Sequence, residues 1–434
     1  MKKRPMPEVH IEGFKEMSIN GKTLEYLSPK SVFLPTNFPS ELSVLVKPGV
    51  RVLMGQKIMI KEGRFGYPIL SPISGTVKET IRKWHPSNKM IPMIEIENDF
   101  KEELVDTFKN LNPEKMTKDD LVNVMKDSGL LGMGGAGFPT YAKYETDKPV
   151  DQVIINLAEC EPFITCDYTY VLNYPNELIF GLKYMIKASN AKSGVIALKN
   201  KEINNKLIDI LMPLLENNMS LFLLNDVYPA GWERYVIEKV TGKSYGVLPI
   251  EAGVIVNNAT TAITFGRLLK EGLVPSCKYM TVTGDAMSEC GNVLMKFGTS
   301  VHELLDLFNN VKEDVDKEKT LMICGGPMTG NAMFSGDFVT TPTLGSVIAL
   351  RQEQYIGRRY PHCLGCGTCA KHCPVNLSPY QIRRTLRSGD VDELIALGIT
   401  KCIQCGQCSY VCPSHVELTS DMLIARDLVR KMKR

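Results

Sequence analysis

The residues best suited to chemistry are cysteines. Cys363-Leu-Gly-Cys366-Gly-Thr-Cys369-Ala-Lys-His-Cys373-Pro374 and Cys402-Ile-Gln-Cys405-Gly-Gln-Cys408-Ser-Tyr-Val-Cys412-Pro413 share one spacing, C-x2-C-x2-C-x3-C-P. Three thiolates on so short a loop can each hold one iron of a cubane. The fourth cysteine opens the next element, points away and ligates the neighbouring cluster. The spacing therefore predicts two [4Fe–4S] clusters, one on Cys363, Cys366, Cys369 and Cys412, the other on Cys402, Cys405, Cys408 and Cys373. Structural zinc would favour paired C-x2-C units over two runs of four. A disulfide framework would need an oxidising compartment, which nothing else in the chain suggests.

A second candidate site lies earlier. Gly129-Leu-Leu-Gly132-Met-Gly134-Gly135-Ala-Gly137-Phe138-Pro139-Thr140 is too rich in glycine for a helix interior. Alone it reads as a tight turn. Ahead of a helix starting near Thr140 or Tyr141, it becomes a loop whose exposed N–H groups suit the phosphate of a flavin. Lys143, just inside that helix, is placed to reach the phosphate or the ring. Asn156-Leu-Ala-Glu159-Cys-Glu161-Pro162 follows a candidate strand, at the carboxyl edge where α/β sheets bind ligands. Its two carboxylates could bond ribityl or ribose hydroxyls; the alternative is a solvated loop.

These sites need elements to position them. Length predicts two to four domains. Residues 1–30 read as an irregular N-terminal arm. Residues 31–98 alternate apolar and polar in short runs and read as all-β. Lys101 to Asp127 looks helical and charged. From 101 to 270, apolar runs at Val153–Ile155, Gly194–Leu198 and Leu221–Leu224 alternate with helical stretches at Asn176–Ser189 and Lys201–Leu215, which argues for an α/β sheet with crossover helices. A compact β-rich unit covers 271–318. A linker with the turn-rich Gly325-Gly-Pro-Met-Thr-Gly330 covers 319–355. The cluster domain spans 356–418, its spacer Leu377–Gly398 forming two short helices, and a basic C-terminal helix spans 419–434. The fold class is α/β and multidomain. Lys and Arg (51) nearly balance Asp and Glu (48), so charge gives no argument for nucleic acid. The beginning lacks the apolar segment of a signal peptide, and no apolar run approaches the roughly 18 residues of a membrane span. Eight of the 13 cysteines are committed to clusters, which fits a reducing cytoplasm. The other five (Cys160, Cys166, Cys277, Cys290, Cys324) read as small buried residues.

Several of these stretches carry a family resemblance in one fixed order. Gly132-x-Gly134-Gly135-Ala-Gly137-Phe138-Pro139-Thr140, Asn156 to Pro162, Tyr228-Pro-Ala-Gly231-x-Glu233 and Val256-Asn257-Asn258-Ala-Thr-Thr261 together resemble the flavin- and NADH-binding subunit of respiratory complex I. Val46-Lys-Pro-Gly49 to Ser71-Pro-Ile-Ser-Gly75-Thr-Val77 resembles a biotinyl/lipoyl barrel sandwich, whose attachment Lys has no counterpart in Lys61-Glu-Gly-Arg64. With a unit at Tyr279 like a soluble-ligand-binding β-grasp domain and the doubled cysteine motif, residues 40 to 415 are similar to the RnfC family. The resemblance implies a barrel-sandwich module, a Rossmann-like FMN/NADH domain, a β-grasp domain and a helical ferredoxin domain. It implies that Gly132, Gly134, Gly135, Gly137, Lys143, Asn156, Glu159, Tyr228, Gly231, Glu233, Asn257, Asn258 and Thr261 surround FMN, that Phe138 stacks on the nicotinamide or adenine, and that Glu161 holds the NADH ribose. It further implies electron transfer from NADH through FMN and the clusters to partner proteins, at the inner face of the cell membrane through partner subunits. Met133, Ala158 and Trp232 depart from the complex I pattern (Arg, Asp and Glu), and the last two remove carboxylates from the nucleotide site. The His-Lys opening common in RnfC proteins is also missing, so a soluble adaptor feeding a proline reductase or cobalamin reductase is the alternative.

Overall fold

The computed structural model describes all residues except 1–5, 39, 41, 317–318, 334–335, 353–361 and 433–434. The first module forms two small antiparallel sheets. Ser31–Pro35, Lys89–Asn98, Gly75–His85 and Arg51–Val52 make one; Ser43–Val44, Lys57–Lys61 and Tyr67–Leu70 make the other. Val32, Val52, Ile58, Met59, Val77 and Ile96 are buried between them, the adjacent Ile58 and Met59 both being buried where the register of their strand shifts. Lys61-Glu-Gly-Arg64 lies in the hairpin turn after Lys57–Lys61, and that turn leans on the glycine loop: Phe65 meets Phe138 edge-on at 5.1 Å, and Tyr141 Oη donates to Gly66 O at 2.8 Å.

The next layer is a four-stranded parallel sheet in the order Met219–Leu224, Ser193–Lys199, Gln152–Leu157, Val254–Asn258. The first strand in sequence lies inside, so the chain reverses direction between Gln152–Leu157 and Val254–Asn258, where such sheets open a crevice. Pro175–Ser189 and Ala259–Glu271 cover one face. The expected helix 201–215 is instead a helix of seven residues, Asn205–Leu211, flanked by 3-10 turns, because Pro213 removes a donor and stops it. The expected charged helix 101–127 reduces to Lys118–Asp127. Its start is set by a reciprocal cap between Thr117 and Asp120, and Pro113 precedes it.

The third unit corrects two expectations. Its sheet has six strands, ordered Lys22–Tyr26, Gly291–Lys296, Cys277–Thr283, Ser346–Arg351, Thr320–Cys324, Asn331–Met333. The N-terminal arm therefore contributes an edge strand, parallel to Gly291–Lys296, and the segment expected to be a linker contributes three strands. The edge strand was hidden because its partner is distant in sequence. The cluster unit is helical, with Pro379–Ser388 and Val391–Ala396 between the two cysteine runs. Its last helix, Leu418–Met432, is not a solvated tail: Met422, Ala425 and Val429 are buried with Ile382, Leu394 and Ile399. Among the described residues no helix is long and apolar enough to cross a membrane.

Pro175–Ser189 and Ala259–Glu271 touch backbone to backbone. A Cβ on Gly181 would lie 2.0 Å from Ala262 O, and one on Gly266 would lie 2.2 Å from Glu177 O. Neither carbonyl can yield without parting the helices. Gly266→Ala should therefore destabilise this domain by about 2 kcal/mol or more, read as an earlier urea midpoint. An unchanged midpoint would refute the close crossing.

Candidate cofactor sites

The cysteines surround two separate hollows in the helical unit. One is lined by Cys363, Cys366, Cys369 and Cys412, the other by Cys373, Cys402, Cys405 and Cys408. Each hollow thus takes three thiols from one run and the fourth from the other. Gly365 and Gly367, at φ +67° and +73°, let the first loop curl around its centre, and Gln404 and Gly406 do the same for the second. Backbone N–H groups already point at sulfur, Gly365 N at 3.4 Å from Cys363 Sγ and Val416 N at 3.4 Å from Cys412 Sγ. Four soft thiols around one void are the donor set a cubane needs. The hollows differ in setting. Cys363 and Cys366 are exposed, whereas the second hollow is turned toward the rest of the chain. Tyr228 Oη donates to Cys405 O at 2.7 Å, and Gly406 sits so near Met328 O that a Cβ would come within 2.5 Å.

The other site is a cleft of about 230 Å³ between the parallel sheet and the six-stranded sheet. Of the residues expected there, Gly134, Gly135, Asn156, Glu159, Glu161, Gly231 and Asn258 line it. Gly135, at φ +152°, faces open space, and Gly134 packs against Asn258 with no room for a Cβ. Asn156 donates to Gly231 O at 2.9 Å and accepts from Ala158 N at 3.1 Å, fixing the turn after its strand. Glu159 accepts from Asp167 N at 2.9 Å and faces Lys15 at 3.6 Å; burial drives its pKa up to about 7 against the pull of Lys15. Glu161 is held by Thr329 Oγ1 and by Met328 N at 3.1 Å, and it lies against Gly326, where any Cβ would collide. Burial raises its pKa as well.

The structure places the remaining expected residues off the cleft wall. Gly132 N closes the loop on Phe138 O at 2.8 Å, and Gly137 abuts Thr343. Phe138 rests on Phe65. Lys143 turns inward to Val256 O at 2.7 Å, where burial lowers its pKa. Asn257 donates to Tyr144 Oη at 2.6 Å, Thr261 Oγ1 receives Met133 N at 2.9 Å, and Glu233 accepts from Tyr245 Oη at 3.2 Å. Tyr228 faces the cysteine loop. Sequence reasoning missed Asp167, which accepts from Asn258 Nδ2 at 2.6 Å and Thr260 Oγ1 at 2.7 Å. It also missed Cys160, Cys166, Lys278 and Thr329 on the wall. The spacing of Asp167 from the Asn156–Pro162 turn was a usable signal; nothing local marked Lys278.

Comparison with known proteins agrees with this division. Residues 7–101 match the RnfC barrel sandwich hybrid domain, 125–266 the Nuo51 FMN-binding domain and 350–417 a 4Fe-4S dicluster domain. The chain is 28% identical over 363 residues to the C component of the Na(+)-translocating ferredoxin:NAD(+) oxidoreductase complex of Acetobacterium woodii, covering 82% of this chain and 81% of that one. The chain is thus similar to the C components of Rnf-type complexes over most of its length. To the C component of the proton-translocating ferredoxin:NAD(+) oxidoreductase complex of Clostridium ljungdahlii it is 28% identical over 380 residues, 86% of this chain and 82% of that one. To the C component of the ion-translocating oxidoreductase complex of Vibrio cholerae it is 30% identical over 356 residues, but spans only 46% of that longer protein. Among solved structures, an NAD+-reducing [NiFe]-hydrogenase in the H2-reduced state shares the fold, with a TM-score of 0.51 and 17% identity over 75% of this chain and 64% of that one. This chain is thus an electron-transfer oxidoreductase with an FMN-binding domain and a 4Fe-4S dicluster domain.

Two outcomes follow. Cys373→Ala should cost the cluster shared with Cys402, Cys405 and Cys408 and spare the one beside its own run, so bound iron falls from about eight to about four atoms. Loss of all iron or none, in a folded variant, would break the interlocked assignment. Glu159 has a folded pKa (about 7) above its ordinary 4.5, so the stability it contributes is full below pH 4.5 and is lost as pH rises through 7. Glu159→Gln should therefore melt higher than wild type at pH 8, the gap closing toward pH 5; a gap independent of pH would contradict the burial argument.

Proposed function

We infer that this chain is the NAD(H)-reacting subunit of an Rnf-type ferredoxin:NAD+ oxidoreductase, bound to a membrane complex through its partner subunits. The observation that carries the reading is the continuity between the cleft and the second cysteine hollow. Glu161 lies on the cleft wall and grips the 325–330 loop through Met328 and Thr329; Met328 in turn abuts Gly406. Tyr228, three residues before Gly231 of the cleft, bonds Cys405 O at 2.7 Å. Two short paths thus join one site to the other through ordered protein.

FMN, when bound, exchanges a hydride as an electron pair with a nicotinamide, and cubanes take electrons singly, which is why one chain holds both. The chain's own part is positioning. Gly134, Gly135, Asn156, Gly231 and Asn258 would hold the flavin, their lack of bulk or their fixed amide groups setting its place in the cleft. Gly134 and Gly135 have N–H groups that reach no backbone carbonyl among the described residues, which suits an anionic ligand group. Glu159 and Glu161, both raised in pKa by burial, keep less charge in the cleft than two free carboxylates would, and so repel an anionic dinucleotide less. Phe138, beside the glycine loop and 37% exposed, offers an aromatic face at the cleft's margin for a base. The exposed Cys363 and Cys366 make the first hollow the one accessible to a partner protein.

The reading is tested by adding NADH anaerobically to purified protein carrying FMN and both clusters. Loss of flavin absorbance within the mixing time, followed by bleaching of the cluster bands, is the expected result. Reduction by dithionite but not by NADH would replace this reading with that of an adaptor between other proteins.

A further inference from the structure

The geometry points to Lys278, on the strand Cys277–Thr283 of the six-stranded sheet, as the counter-charge to the flavin phosphate. The inference rests on the FMN reading above and assigns to a residue outside the matched FMN-binding segment, 125–266, the part the sequence suggested for Lys143.

Lys278 is only 1% exposed, yet its side chain lines the cleft. Its ammonium donates to Met133 O of the glycine loop at 3.1 Å and to Pro342 O at 3.2 Å. An ammonium has three N–H bonds, so one remains after these two. Among the described residues no carboxylate lies within ion-pair distance of it. Asp167, Glu159 and Cys166 are the titratable groups that face it, and their pull opposes a burial that lowers its pKa. Asp167 is already engaged by Asn258 and Thr260, and Glu159 by Lys15 and Asp167 N. A buried cation with one open N–H and no paired anion is an unfavourable arrangement unless a ligand brings the charge.

The position of the ammonium selects the ligand group. Through Met133 O it sits at the glycine loop, next to the N–H groups of Gly134 and Gly135 that have no backbone partner. Donors from two domains thus converge on one end of the cleft. A phosphate dianion, with three acceptor oxygens, matches a cation and clustered N–H groups better than a neutral flavin ring does. Lys143 does not serve there, because its ammonium turns inward to Val256 O and its side chain does not line the cleft. The consequence is structural as well: the flavin would fasten the six-stranded sheet to the glycine loop across the seam between them.

The test compares FMN with riboflavin, which has the same ring and no phosphate, by fluorescence-quenching titration of flavin-stripped protein with its clusters intact. Wild type should bind FMN well above riboflavin. Lys278→Met should weaken FMN by roughly tenfold or more, the worth of one charge-assisted bond, and leave riboflavin unchanged; Lys278→Arg should keep most of the preference. The cluster absorbance and melting curve of each variant report folding. Equal weakening of both flavins, or no change in either, overturns the role of Lys278 while leaving the FMN reading intact. A wild type that binds both flavins alike overturns it without any variant, and one that binds neither refutes the FMN reading itself.

Discussion

A buried polar network holds the two sheets together, and the cleft exists only because they are so held. Thr165 N donates to Thr281 Oγ1 at 3.0 Å, and Thr281 Oγ1 donates in turn to Asn292 Oδ1 at 2.8 Å. Asn292 Nδ2 returns to Thr165 Oγ1 at 2.9 Å, and Thr165 Oγ1 reaches Ser18 Oγ at 2.8 Å, which bonds Phe163 O. Ser18, Thr165, Thr281 and Asn292 come from the N-terminal segment, the parallel-sheet domain and two strands of the six-stranded sheet. All are buried. Apolar packing could join these parts in several registers; a closed set of hydrogen bonds accepts one, because any slip leaves buried groups unpaired. Glu159, Asp167 and Lys278 face one another only in that register.

The network also explains which parts were legible in the sequence. The cysteine hollows were, because the ligand pattern is local and the exchange of the fourth cysteine follows from chain direction. The glycine loop and the turn at Asn156–Pro162 were too, since each is a short-range conformational demand. Side-chain direction was not. Lys143 and Asn257 stand at expected positions but face inward, because the short helix Tyr141–Tyr144 rotates Lys143 onto the strand Val254–Asn258. The strand Lys22–Tyr26 was read as irregular because its pairing partner lies near residue 291, and no periodicity within five residues reveals a distant edge. Lys278 was invisible for the same reason: a lysine in an apolar strand reads as a snorkelling surface residue until the neighbouring domain covers it.

The two hollows, alike in sequence, differ in what surrounds them, and the difference is physical. Around the inner one, burial drives the thiol pKa of Cys405 and Cys408 up to about 12. Around the outer one, Cys366 is exposed, and its thiol pKa is lowered by the hydroxyl of Thr368. Burial penalises every added negative charge, so identical ligand sets here meet different electrostatic costs. Hydrogen bonding and exposure both favour negative charge on Cys366 at the outer site. The same asymmetry that hides one site against Tyr228 and Met328 leaves Cys363 and Cys366 of the other exposed.

The barrel module shows how a fold can keep its shape and change its use. In a biotinyl or lipoyl module the hairpin tip would carry a prosthetic group on a lysine. Here the tip bears Phe65 and Gly66, which meet Phe138 and Tyr141 on either side of Pro139. A rigid hairpin pressed on a glycine-rich loop limits the conformations that loop can visit. Glycine is needed there for close approach to a ligand, and it brings the most backbone freedom of any residue. Ordering that freedom in advance lowers the entropic cost of binding. The module thus meets the glycine loop through Phe65 and Gly66, contacts that brace it. That places its function in two contacts and leaves the barrel as their scaffold.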